Sequence, residues 1–88
     1  MAPRAYREVP VELIIEVLSD DTSWSAMEEK IGEYHAAGFD LVWVLDPRTL
    51  TLRAYARGAS PVLLRDSDTV SADPHVPGFS CRVAEFFE

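Results

Sequence analysis

Two nearly continuous apolar runs, separated by a helical stripe, constrain the fold of this chain most strongly. The runs lie at residues 11–19 and 41–45, and strands that are apolar on both faces are typical of the interior of a parallel sheet. Between them, apolar side chains recur at the three- and four-residue steps of a helix over residues 23–37. These side chains are Trp24, Met27, Ile31 and Tyr34. The order strand, helix, strand predicts a right-handed crossover between two parallel strands, the first of them central in the sheet.

The second half of the chain predicts short antiparallel strands. Residues 51–56 and 62–65 are strand-like segments, joined by a Gly- and Pro-containing connection that suits a hairpin. Residues 67–77 are polar with two prolines and predict a loop. Residues 83–87 are apolar and predict a short helix docked on the sheet. We therefore expect a single α/β domain over residues 1–88.

Glu16 and Lys30 are the leading candidates for a functional site. Glu16 lies within the first apolar run, where a carboxylate needs an opposite charge or a metal ion. Lys30 is the only lysine beside seven arginines, and it borders the helical stripe at three and four residues from Met27 and Tyr34. The use of lysine at this one position indicates a site that needs a compact ammonium on a flexible side chain rather than a planar guanidinium. The spacing predicts that Lys30 reaches the sheet near Glu16.

Other acidic residues near the first strand are weaker candidates. Glu12 shares a face with Glu16, but four strand residues separate them by roughly 13 Å, too far to share one metal ion. Asp20 and Asp21 follow the strand, where α/β proteins place ligands. Helix capping and charge complementation of the first helical turn are the favoured explanation for this second pair.

Composition narrows the class of protein. At 88 residues the chain is near the size at which a core alone gives marginal stability, so we expect a homodimer or a complementing chain. One cysteine excludes an intrachain disulfide, and two histidines do not form a zinc-type cluster. No apolar stretch approaches the roughly 20 residues that span a bilayer. Residues 1–9 resemble no secretory signal, so we expect a cytoplasmic protein.

The formal charge of −7 opposes binding to phosphate backbones. This acidity counts against a DNA-binding protein that relies on a general positive surface. It does not exclude a nuclease, because a metal site needs acidic side chains.

Several of these features, taken together, resemble the Uma family, described as putative restriction endonucleases of the PD-(D/E)XK superfamily. The resemblance covers residues 11–87 and implies a restriction-endonuclease-like core. The residues that carry it are VELIIEVLS at 11–19, Thr22, Lys30, Tyr34, Gly38, WVLDP at 43–47, PGF at 77–79 and Phe86.

The resemblance implies a DNA endonuclease that uses Mg²⁺ or Mn²⁺. Glu16 matches the family's acidic metal ligand, and the backbone carbonyl of Val17 would add a second oxygen of the kind that hard cations prefer. Leu18 stands where the superfamily's lysine usually lies. Lys30 matches a lysine that has moved to the following helix, where it would orient the attacking water. Tyr34 matches a family aromatic, for which core packing with the hydroxyl at the rim is expected.

The chain also departs from the family pattern. Members carry a first metal-binding Asp on a hairpin upstream of this strand, together with an N-terminal helix, and only ten residues precede Val11 here. The resemblance thus implies that the N-terminal part of the family fold is missing. The usual Asp at position 12 is Glu12, the usual Pro at 20 is Asp20, and an acidic residue often seen at 26 is Ala26. One ligand short, the metal site would be weak unless Asp20, Asp21 or another chain contributed.

Two hypotheses of different classes follow from the sequence. In the first, the chain is a Mg²⁺-dependent phosphodiesterase in which Glu16 binds metal and Lys30 assists the nucleophile. In the second, it is an inactive α/β interaction module of the same fold, in which the two residues form a structural ion pair and the sheet edge recruits a partner.

Overall fold

A computed structural model describes residues 13–73 and 76–88. Its elements alternate strand and helix at first and then continue as short strands. They are β1 (Leu13–Val17), α1 (Trp24–Ala36), β2 (Leu41–Asp46), β3 (Thr51–Ala56), β4 (Val62–Arg65), β5 (Thr69–Ser71), β6 (Ser80–Arg82) and a 3₁₀ helix (Val83–Phe87).

The strands form one four-stranded sheet and one two-stranded sheet. The larger sheet has the order β1-β2-β3-β4. β1 and β2 are parallel, with Leu13 opposite Leu41 and Val17 opposite Leu45, whereas β2, β3 and β4 pair antiparallel. The predicted parallel pair, the hairpin between β3 and β4, and the α/β class are confirmed. β5 and β6 form the second, antiparallel pair.

Ser23 caps the amino end of helix α1, and its side-chain oxygen accepts a hydrogen bond from the backbone N–H of Ala26 at 3.1 Å. This bond satisfies one of the free N–H groups of the first turn. Ala37 caps the carboxyl end of the helix. The next residue, Gly38, has a positive φ of 102°, a backbone conformation that glycine tolerates best. The predicted helix is confirmed, but Asp20 and Asp21 precede the cap and do not perform the capping predicted for them.

The two faces of the larger sheet pack against different parts of the chain. One face lies under α1, and its buried residues are Leu18, Met27, Ile31, Val42, Val44 and Tyr55. The other lies under β5, β6 and the 3₁₀ helix, and its buried residues are Leu41, Trp43, Leu45, Leu52, Val70, Ala72 and Val83. Because successive side chains of a strand alternate between faces, β2 is buried along its whole length.

Two predictions about strands need correction, and one strand was not predicted. Within the described residues β1 lies at an end of the larger sheet and not in its centre, and Ile15 and Val17 are exposed on the face opposite α1. The segment predicted as a loop at 67–77 contains β5, whose middle residue Val70 is buried in the core. β6 was not predicted, and residues 11–12 of the predicted first strand lie outside the described residues.

Candidate active site

Glu16 lies on the face of β1 that packs under α1. It stands opposite Val44 in the parallel register. Its neighbours on the same face, Ile14 and Leu18, belong to the core beneath the helix. The Glu16 side chain is only 19% exposed, and a carboxylate this close to an apolar core needs compensating contacts.

Lys30 provides the first of these contacts. Its Nζ lies 3.0 Å from Oε2 of Glu16. Met27 and Ile31 are buried against the sheet, so Lys30 lies at the border of the buried stripe and its side chain extends along the flank of the helix. That side chain is 49% exposed. The structure therefore brings together the two residues that the sequence singled out, with the ammonium reachable from solvent.

Tyr34 provides the second contact, which the sequence did not predict. Its hydroxyl donates a hydrogen bond to the same oxygen, Oε2 of Glu16. The spacing of four residues between Lys30 and Tyr34 places both side chains on one flank of α1. The sequence predicted core packing of the Tyr34 ring with its hydroxyl at the rim. The four-residue spacing from Lys30 is the one signal that could have suggested a shared partner.

The two contacts keep Glu16 ionised. The hydrogen bond from Tyr34 is the larger cause that lowers the pKa of the carboxyl, and Lys30 lowers it further against the opposing effect of burial. In return, Glu16 raises the pKa of Lys30 and that of Tyr34. At neutral pH the site therefore holds a carboxylate, an ammonium and a neutral phenol.

The backbone carbonyl of Val17 points to the opposite side of β1 from the backbone carbonyl of Glu16. The N–H of Leu18 donates to the carbonyl of Leu45 on β2 at 2.8 Å. Adjacent strand residues direct their N–H and C=O groups to opposite sides of the strand. The carbonyl of Val17 consequently lies on the side of β1 away from β2, where no described strand accepts or donates.

The oxygen donors of this site are of the type that a hard cation binds, but the described residues provide fewer of them than the cation needs. Glu16 accepts both contacts on Oε2, and no described residue donates to its Oε1. The Val17 carbonyl is a second oxygen donor. Mg²⁺ prefers six oxygens and commonly takes one or two carboxylates, with water and substrate phosphate completing the set. Within residues 13–73 and 76–88 there is no cluster of three or more His, Cys, Asp or Glu side chains.

Two of the three acidic residues at the carboxyl ends of β1 and β2 have partners of their own. Asp20 lies 3.6 Å from the guanidinium of Arg48. Asp46 accepts the backbone N–H of Arg48 at 3.0 Å and so stabilises the turn after β2. Asp21 is exposed. None of the three belongs to a cluster of potential metal ligands in the part of the chain that the structure describes, so the suggestion that Asp20 or Asp21 completes the site gains no support.

The fold of this chain is similar to that of a solved structure. A crystal structure titled as a putative nuclease belonging to DUF820, from Anabaena variabilis, matches with a TM-score of 0.76 and 19% sequence identity. The match covers 86% of this chain and 43% of that one. The chain therefore shares the α/β fold of that structure and spans less than half of its length.

The family follows from the sequence itself. The family profile Uma2, described as "Putative restriction endonuclease", matches residues 2–84. The chain belongs to this family, as its resemblance predicted. A search of curated proteins finds no match. Among the described residues, no helix has the length and apolarity to cross a membrane.

Proposed function

We propose that this chain is a divalent-metal-dependent phosphodiesterase domain that cleaves DNA. One observation carries the proposal: Lys30 Nζ lies 3.0 Å from a Glu16 carboxylate at the end of β1, in a member of a restriction endonuclease family. An ammonium beside a potential metal ligand suits the hydrolysis of a phosphodiester, in which negative charge builds up around phosphorus.

Glu16 and Val17 would hold the metal ion, through a carboxylate oxygen and a backbone carbonyl. Mg²⁺ or Mn²⁺, when bound, supplies a Lewis acid and lowers the pKa of a coordinated water. The remaining oxygens would come from water, from the substrate phosphate and from a ligand outside the described residues. The open side of β1, towards which the Val17 carbonyl points, is where such a ligand would approach.

Lys30 would act on the attacking water and on the charge that develops around phosphorus. In the reaction the oxygen of water bonds to phosphorus and the bond to the leaving oxygen breaks. The water gives up one proton to solvent, and the leaving oxygen takes up a proton from solvent to become a hydroxyl. Lys30 is half exposed, so its flexible stem lets the ammonium leave Oε2 of Glu16 for the substrate. The ammonium stabilises the transition state more than the ground state, as catalysis requires.

The acidity of the chain shapes how it would bind DNA. With a net charge of −7, binding cannot rely on many phosphate contacts, because each contact needs a positive side chain. We expect affinity to come from the metal ion, Lys30 and a few local arginines, and therefore to depend only weakly on salt.

A second candidate function is supported by β1. Ile15 and Val17 are exposed on the face opposite α1, and β1 has a paired strand on one side only within the described residues. An exposed apolar edge recruits another strand. In this alternative the chain is an inactive interaction module that binds a second copy or a complementing chain, and the pair of Glu16 and Lys30 is structural.

Metal binding separates the two functions. Calorimetric titration with Mn²⁺ and with Mg²⁺ is expected to give binding that Glu16→Gln abolishes. Asp40→Asn is the matched control, because Asp40 also pairs with a cation, Arg57, at 3.2 Å, but lies directly before the amino end of β2. No heat of binding at millimolar metal, or equal binding by Glu16→Gln, would leave only the interaction module.

A further inference from the structure

The two donors that meet Glu16 differ in how firmly each is held. Both contact Oε2, and no described residue contacts Oε1. Lys30 is half exposed on a stem of four carbons, and holding such a side chain in one geometry costs conformational entropy. Its contact with Glu16 is therefore easily broken.

Tyr34 is the more rigid donor. Its ring packs against the core beneath α1 and meets the ring of Phe39 edge to face, with centroids 5.9 Å apart. The backbone N–H of Phe39 also donates to the carbonyl of Tyr34 at 3.0 Å. A tyrosine has only two side-chain torsions, and these packing contacts restrict the position of its ring and hydroxyl.

We propose that Tyr34 is a positioning residue for the metal ligand. Its hydroxyl holds Oε2 of Glu16 in place, so that Oε1 would remain available to a bound cation and Lys30 would be free to move to the substrate. This inference rests on the proposed nuclease function and assigns separate tasks to the two donors. Tyr34 orients the carboxylate and touches neither substrate nor metal, whereas Lys30 acts in the chemical step.

The division of tasks has a measurable consequence. Loss of a positioning contact weakens metal binding, by about 10- to 100-fold for the outer partners of metal ligands. Excess metal then restores the activity of Tyr34→Phe. Loss of Lys30 removes a group that acts after metal is bound, so the deficit of Lys30→Met persists at saturating metal.

The test is a Mn²⁺ titration of the 88-residue chain, followed both by calorimetry and by plasmid nicking. Tyr34→Phe is expected to raise the Kd for Mn²⁺ about 10- to 100-fold and to regain nicking as Mn²⁺ increases. Tyr55→Phe is the matched control, because Tyr55 is a buried tyrosine of the same core whose hydroxyl has no partner among the described residues. Its Kd is expected to equal that of the wild type.

The outcomes are distinguishable. An unchanged Kd in Tyr34→Phe, or an equal rise in both tyrosine variants, overturns the positioning role and leaves the nuclease intact. If the wild type binds no Mn²⁺, the proposed function and this inference both fail.

A second variant, Phe39→Leu, applies if Tyr34→Phe does not fold. It keeps the Tyr34 hydroxyl and removes the aromatic neighbour of the Tyr34 ring. A raised Kd in Phe39→Leu then supports the positioning role, and an unchanged Kd overturns it.

Discussion

Lys30 and Glu16 come from different elements, and the fold brings Lys30 Nζ within 3.0 Å of Glu16 Oε2. The helix stripe sets the position of Lys30, and the parallel register of β1 with β2 sets that of Glu16. Because Lys30 is half exposed, the attraction is partly screened by water and stabilises the fold little. The pair is therefore weak as a stabilising contact, which is compatible with the role in chemistry that we propose for it.

Acid titration tests the electrostatics of Glu16. Tyr34 and Lys30 lower the pKa of Glu16 below its ordinary value of 4.5. A carboxyl with a lowered pKa in the folded state stabilises the fold above its unfolded pKa, and that stabilisation is lost as pH falls through the folded pKa. We expect the thermal midpoint of the wild type to fall more steeply below pH 4.5 than that of Glu16→Gln. Parallel curves from circular dichroism would contradict the contacts assigned to Glu16.

Tyr55 gives a prediction about stability alone. Its hydroxyl is buried and has no hydrogen-bond partner among the described residues. An unsatisfied buried polar group costs about 1–3 kcal/mol. We expect Tyr55→Phe to leave the free energy of unfolding unchanged or to raise it by up to about 1 kcal/mol, as measured by urea denaturation. A clear loss of stability would mean that the hydroxyl has a partner.

The open side of β1 gives a prediction about association. A charged side chain on a strand edge blocks pairing with another chain. We expect the wild type to form dimers as its concentration rises, and Val17→Lys to stay monomeric in analytical ultracentrifugation. Val62→Lys on β4 is the matched control, since the two valines are 58% and 53% exposed. A wild type that is monomeric at every concentration, or equal disruption by both variants, would contradict pairing through β1.

The sequence predicted the long elements because their patterns are strong. The stripe around Met27 and Ile31 has the helical period, and the runs that became β1 and β2 are apolar at nearly every position, which is typical of strands. The contact between Lys30 and Glu16 followed from the same helical period. The family resemblance supplied the proposed roles, which spacing alone does not give.

The short strands and the exposure of β1 could not be predicted from the sequence. β5 and β6 have three residues each, too few for a period-two pattern, and they form where Val70 packs into the core. The apolar side chains of β1 indicated burial on both faces. Ile15 and Val17 are nonetheless exposed within the described residues, because burial depends on the neighbouring elements and not on the strand alone. The hydrogen bond from the Tyr34 hydroxyl to Glu16 likewise depends on the folded arrangement of α1 and β1 and could not be predicted from the sequence.

The most direct test of the proposed nuclease is plasmid cleavage in Mn²⁺ or Mg²⁺ by the wild type, Lys30→Met and Arg57→Met. Arg57 is a matched control, because its side chain is 47% exposed against 49% for Lys30 and each pairs with one carboxylate. We predict that the wild type and Arg57→Met convert supercoiled plasmid at similar rates, and that Lys30→Met is slower by about 10²- to 10³-fold. Equal rates for Lys30→Met and the wild type, or no cleavage by the wild type, would contradict the account.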